Sequence, residues 1–202
     1  MGHAYHDIAF TDAVKAFQET KGSRAAYAKF EDGPVRGDHI GPYEAAVIAA
    51  RDSFYMASTS ETGWPYLQHR GGPAGFVRVI DTHTLGFADF VGNRQYVSLG
   101  NVQGDDRVAL FFMDYANRAR LKIFGHVCVI DPSDEETMAK LAVPGYRARV
   151  ERGLLIRVAA LDWNCPQHIT QRFTEDQVAE IVKELTARIA ELEAALPTAP
   201  DG

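Results

Sequence analysis

The sequence predicts a mainly β protein: an antiparallel barrel with flanking helices and one long helix at its C-terminal end. Three observations carry this. Between residues 53 and 161, short runs rich in β-branched and aromatic residues alternate with turn residues, and one helical pattern interrupts them. On both sides of that region the texture changes to helical periodicity. The last such stretch repeats apolar residues at alternating steps of four and three. The Cys…Trp…Cys landmarks of an immunoglobulin-type sandwich are missing, which favours a barrel.

The first unit, residues 1–52, reads as helices and a connector. Thr11 is placed to cap a short helix whose apolar face is Ala13, Val14 and Phe17, and Gly22 and Ser23 end it. Residues 30–41, with Gly33, Pro34, Gly37 and Gly41, form an irregular connector. Pro42 suits the first position of a helix running through Ala50.

The second unit, 53–170, is the barrel. Strands are expected at 54–59, 66–68, 76–80 and 84–90, with turns at 60–63 and 81–83. Residues 108–113 are apolar throughout and predict a strand buried on both faces. Runs at 121–130 and 154–161 complete about seven strands, and a helix capped at Ser133, with Glu136 closing a capping box, separates those two. The third unit, 171–202, is a helix opening at Thr174, with Gln177 as a second capping box, and stopped by Pro197 and Pro200. Val178, Val182, Leu185, Ile189, Leu192 and Leu196 form a heptad-like seam on a helix about 34 Å long. That seam packs either on the chain's own barrel or on a partner subunit.

Bulk properties set limits on function. A content of 46% hydrophobic and 24% charged residues is ordinary for a globular protein, and a net charge of −6 argues against a general nucleic-acid or membrane-surface binder. Residues 1–16 show no apolar signal core, and no run approaches the length of a membrane span. With two distant cysteines, Cys128 and Cys165, a reduced cytoplasmic protein is expected.

Local cation clusters therefore stand out. In the stretch 87–101, a strand carrying Asp89 ends in the turn Val91-Gly92-Asn93, followed by Arg94, Gln95 and a short helical turn containing Ser98. Such a junction offers a phosphate backbone N–H groups, a favourable helix dipole and a bidentate guanidinium. Arg70 and Arg78 lie upstream and add charge to the same anion. His69-Arg70-Gly71-Gly72-Pro73 reads as part of a flavin or nucleotide cradle, or as a glycine-rich bend at a barrel corner. Arg118, Arg120 and Lys122 alternate onto one strand face, either flanking an anion or standing in water.

In Trp163-Asn164-Cys165-Pro166-Gln167-His168, one Cys and one His make only half a zinc site, and a Cys165 nucleophile would lack an orienting third group. A loop closing over a flat aromatic ligand explains more of its residue types. No metal is expected. Dinucleotide, P-loop and hydrolase signatures are absent.

Taken together, the region from Ser53 to Trp163 resembles the FMN-binding split barrels of the pyridoxamine 5′-phosphate oxidase-like family. It is most similar to a predicted flavin-nucleotide-binding subgroup carrying the three motifs at 69–73, 92–96 and 163–168. The resemblance implies a split antiparallel barrel, FMN as cofactor, and a homodimer with FMN at the subunit interface. It implies a cofactor-binding set of His69, Arg70, Arg78, Asp89, Asn93, Arg94, Gln95, Ser98, Arg120, Trp163, Gln167 and His168. Arg94 stands at the family's phosphate-binding arginine, while Gln95 replaces its lysine and Asn93 its serine. Arg78 matches the basic residue ending the family's Arg-x-x-Leu-Leu-Lys strand, and Pro73 stands where its first arginine would be. Arg120 lies where the family has a glutamine facing the flavin. The oxidases' Trp…Arg-Leu-x-Pro tail is missing, so a vitamin B6 phosphate is not implied. The expected function is an FMN-binding oxidoreductase acting on an unidentified small substrate, with no catalytic side chain assigned. Its alternatives are a flavin-binding or flavin-sensing protein without catalysis, or a deazaflavin or haem binder on the same barrel.

Overall fold

In the computed structural model, residues 3–31, 34–163 and 166–195 are described. Seven strands, β1 (Ser53–Thr59), β2 (Pro65–Gly71), β3 (Val77–Asp81), β4 (Thr84–Phe90), β5 (Arg107–Asp114), β6 (Ala119–Ile130) and β7 (Val150–Trp163), form one antiparallel sheet. Its order is β2-β1-β5-β6-β7-β4-β3. The helices are α1 (Ala4–Ala9), α2 (Asp12–Thr20), α3 (Arg24–Ala28), α4 (Pro42–Ala49), α5 (Val97–Gly104), α6 (Glu135–Leu141) and α7 (Glu175–Ala195).

The sheet curls on itself. β1 and β4 are far apart in the pairing order, yet Phe54 of β1 meets Phe87 of β4 with ring centroids 5.2 Å apart. Phe54 also stacks on Phe112 at 4.9 Å, and Phe76 contacts both Phe54 and Phe87. These rings, with Met56, Leu85, Leu110, Leu121, Ile123, Leu154 and Ile156, are the barrel core. Period-two alternation supplies them: Phe54 and Met56 point inward from β1, and Val108, Leu110 and Phe112 from β5.

The other face of β5 is a correction to the expected burial on both sides. Ala109, Phe111 and Met113 line an open apolar groove of about 600 Å³ with Tyr55, Leu67 and Tyr115. The strand is apolar on both faces, but the described residues bury only one fully and leave the other half-buried.

Most helix starts follow their caps. Thr11 accepts from the Val14 N–H at 3.4 Å, and Glu44 closes back onto the Gly41 N–H at 3.1 Å. The start of α6 differs: Asp134, not Ser133, caps it by accepting from Thr137 at 3.0 Å. The Ser133 hydroxyl lies one residue further from the helix and donates to Asp131 at 2.7 Å. Helices α1 and α3, of six and five residues, are too short to show a period and were not anticipated. Tertiary contact fixes α1 instead: Tyr5 stacks on Phe124 at 4.6 Å, and the Ala4 N–H reaches Arg36 O at 2.9 Å. Strand β2 extends through His69 and Arg70, which sequence placed at its end.

Thr174 and Gln177 exchange the expected reciprocal bonds, at 3.2 and 3.0 Å, and α7 follows. None of its residues is buried, so the seam does not pack on its own barrel. Leu196, Pro197 and Pro200 lie outside the described residues. Among the described residues, no helix is long and apolar enough to cross a membrane.

Candidate functional site

The turn after β4 is held by unusual backbone. Arg94 and Tyr96 have φ of 60° and 56°, in the left-handed region where side chains other than glycine cost about 1–3 kcal/mol each. Local bonds hold this conformation. The Gln95 N–H donates to Asn93 Oδ1 at 3.2 Å, Arg94 Nε to the Tyr96 hydroxyl at 2.8 Å, and that hydroxyl to Glu151 Oε1 at 3.1 Å. The Arg152 guanidinium lies over the Tyr96 ring, 5.2 Å from its centroid. Tyr96 is also the N-cap of α5 and contributes no side-chain cap, so the helix opens with its first N–H groups uncapped.

These features surround a polar cleft of about 230 Å³. Arg70, Asp89, Asn93, Arg94, Gln95 and Ser98 all line it, joined by Tyr66, Gln68, Tyr96 and Glu151. The first six were named from sequence; Glu151 and its neighbour Arg152 were not, because only the β4–β7 register, which opposes Asp89 to Arg152, brings them there.

Charge in the cleft is arranged in a chain. Asp89, 7% exposed, receives Arg70 Nη1 at 2.5 Å and has Arg152 Nε 3.6 Å away. Burial pushes its carboxyl above the ordinary range, and the two guanidiniums pull it partly back. Arg152 also bonds Glu151 at 2.6 Å. Burial works against the Glu151 charge as well, but Arg152 and the Tyr96 hydroxyl outweigh it and hold that carboxyl below its usual range. Three guanidiniums, Arg70, Arg94 and Arg152, thus face two carboxylates. The Arg94 side chain stays 67% exposed, and Arg70 Nε is buried with no hydrogen-bond partner among the described residues. Ser98 is less available than its position suggested: its hydroxyl is donated to Gln68 at 2.8 Å, fixing α5 to β2.

The remaining predicted residues lie elsewhere. His69 packs edge-on against Tyr55 and lines an adjoining hollow that shares Arg70 and Asp89 with the cleft. Arg78 Nη2 donates to the Ala142 carbonyl at the end of α6, at 2.8 Å. Arg120 sits over the Phe111 ring. Trp163 donates to Glu44 at 2.8 Å and packs on Tyr43, anchoring α4. Gln167 and His168 are in the exposed turn beyond β7. Asn164 and Cys165 lie outside the described residues. Arg118 precedes β6, in a turn with φ of 52°, and binds Gln171, so it does not share the Arg120–Lys122 strand face.

The cleft and the Trp163 motif are at opposite ends of β7. From Glu151 to Trp163 is about 40 Å of extended chain.

One further cluster was not foreseen. His3, His6 and Asp162 bring one potential ligand atom each within 4.8 Å of the others. The two imidazoles stack nearly parallel, centroids 4.4 Å apart and planes 19° apart. Rings so stacked do not turn nitrogens toward a common point, and Lys122 already holds Asp162 at 2.7 Å. Burial, His3 and Lys122 lower the His6 pKa, only partly opposed by Asp162. The cluster ties α1 to β7.

Fold and cleft together define a small antiparallel barrel with a cation-bearing turn beside a polar cleft. Residues 43–161, more than half the chain, match the family model described as pyridoxamine 5′-phosphate oxidase, and the chain belongs to that family. No curated protein matches the sequence. Among solved structures, HupZ of Group A Streptococcus is similar at 15% identity and a TM-score of 0.50, over 66% of this chain and 99% of that one. An FMN-binding protein from Syntrophomonas wolfei aligns at 9% identity over 59% of this chain and 81% of that one, with a TM-score of 0.45. A general stress protein 26 relative from Clostridium acetobutylicum aligns at 13% over 66% and 92%, with a TM-score of 0.44. At these identities the likeness concerns fold alone.

Proposed function

We propose that the cleft holds FMN by its phosphate and that the protein is a flavin-dependent oxidoreductase acting on a small substrate. The observation that carries this reading is the convergence of Arg70, Arg94 and the uncapped start of α5 on one polar cleft, in a chain of this family. The donor set fits a phosphate dianion. Exposed Arg94 offers charge-assisted bonds, the Val97–Leu99 turn offers helix N-terminal N–H groups, and Arg70 keeps an unpartnered Nε in the same wall. Asp89 and Glu151 do not cancel this, because Arg70 and Arg152 already neutralise them.

A bound flavin supplies the redox chemistry, and the protein contributes grip, orientation and control of access. Asn93 and Tyr96 keep Arg94 aimed, and the Ser98–Gln68 bond keeps the α5 N-terminus over the cleft.

We further propose that two copies complete each site. Arg120, Trp163, Gln167 and His168 sit at the far end of β7 from the cleft, so a second subunit is the simplest source of the residues that close over the ring system. The uncovered groove around Phe111 and Leu67 is the apolar face such a partner would bury.

Adding FMN to ligand-stripped protein and following flavin fluorescence tests the reading. Saturable quenching at one FMN per subunit is expected, and no quenching overturns it. Anaerobic NADH or NADPH then separates the two uses of a bound flavin. Bleaching supports the enzyme, and a spectrum unchanged by both rejects a nicotinamide-linked oxidoreductase in favour of a passive binder.

A further inference from the structure

Helix α7 presents a different problem: 21 residues, about 31 Å long, with no buried side chain. Most of the stability of a helix in a protein comes from packing its apolar face, so an apolar stripe left exposed calls for a partner surface. Val178, Val182, Leu185, Ile189 and Leu192 are 46–59% exposed.

The heptad assignment says what that partner is. With Leu185 and Leu192 at d, Val182 and Ile189 fall at a, the combination that favours two parallel strands. Arg188 then occupies a g position and Glu193 the following e. In a parallel pair, g of one helix faces e of its mate five residues on, so Arg188 meets the mate's Glu193 on both sides of the seam. In an antiparallel pair that keeps the seam layers opposed, Val182 to Leu192 and Leu185 to Ile189, g faces g and e faces e, so Arg188 meets Arg188, Glu193 meets Ala179, and the Arg188–Glu193 complement is lost. The flanking g and e positions Ile181 and Thr186 carry no charge that opposes the parallel arrangement.

We infer that α7 pairs in parallel, in register, with α7 of a second copy of this chain. The pairing adds to the barrel a contact near its C-terminal end that owes nothing to the flavin cleft. It places the two copies about a two-fold axis running along the coil, so both barrels stand at the same end of it.

Cysteine cross-linking of the full chain tests this. Cys128 and Cys165 are replaced by Ser, and single cysteines are introduced as Val182→Cys or Leu192→Cys on the seam, with Glu184→Cys on the outer face as a control. A mild oxidant converts two facing thiols to a disulfide. Self-linked dimers are expected for V182C and for L192C, not for E184C, and adding Leu185→Glu to either should abolish the link. Linking only when V182C and L192C are mixed would show an antiparallel pair and overturn the inference. No linking at either position would show that the seam has another occupant, and would overturn it equally. Because α7 buries nothing in its own chain, L185E leaves the barrel folded, which circular dichroism checks. Dimer mass is not the readout, since the apolar groove on the barrel could hold two copies together without the coil. FMN is absent throughout, so failure of the flavin reading would leave these outcomes unchanged.

Discussion

Replacing Asp89 by Leu tests what closes the barrel beside the cleft. Asp89 receives the one side-chain hydrogen bond that Arg70 makes among the described residues, linking edge strand β2 to β4. The two side chains are 9% and 13% exposed. With the carboxylate gone, a buried guanidinium faces apolar surface, a loss of about 3–5 kcal/mol. Arg152 is spared, because it keeps Glu151. For a chain of 202 residues that loss lowers the melting temperature by about 6–20 °C. The pair itself is worth far less than its breakage, since burial already pushes the Asp89 carboxyl upward against its two cations. A double Arg70→Met/Asp89→Leu variant should therefore regain most of the lost stability. Urea denaturation of the four proteins in the cycle, without ligand or phosphate, measures both terms. A single-variant loss under about 1 kcal/mol, or a double variant no better than Asp89→Leu, would refute the reasoning.

Two other predictions follow from packing and charge. At Gly86 a Cβ would lie 2.8 Å from the Leu154 carbonyl oxygen and within 2.8 Å of Leu141 and Leu155 methyls, so Gly86→Ala should cost about 1–3 kcal/mol in chemical denaturation. A neutral result would mean that α6 is not seated on β4 as described. The Glu31 carboxyl is held at about 2 by its bonds to Arg24 and Lys15. A depressed carboxylate stabilises the fold above its unfolded value of 4.5, and that contribution fades as pH falls through about 2. A side-chain NMR titration should find this midpoint, and one near 4.5 would show that α2 and α3 are not clipped together by Glu31.

What the sequence disclosed depended on how local the signal was. Strands announced themselves by period two, and the caps at Thr11, Pro42 and Thr174 by residue type, because each is decided within a few residues. At α6 the helix begins one residue later than expected, so Asp134 and not Ser133 accepts the capping N–H, while Ser133 donates to Asp131. The turn at 92–96, with the short helix after it, was legible for the same local reason. Its support was not: Glu151 and Arg152 reach it through strand register, and Ser98 is spent on Gln68, thirty residues away. Arg78 shows the opposite failure, since the carbonyl end of α6 draws its guanidinium and no local pattern reveals that. The apolar outer face of β5 was read as buried because composition cannot say whether the covering surface belongs to the same chain.

The central claim is that Arg94 grips the phosphate of FMN. Arg94→Ala removes a charge-assisted contact worth about 1.5–3 kcal/mol, so FMN affinity should fall about ten- to hundredfold. Riboflavin has the same ring system and no phosphate, and its affinity should not change. Fluorescence titration of both ligands against wild type and Arg94→Ala gives the four dissociation constants. A loss confined to FMN is the predicted result. Equal losses for both flavins, or none for either, would contradict the assignment.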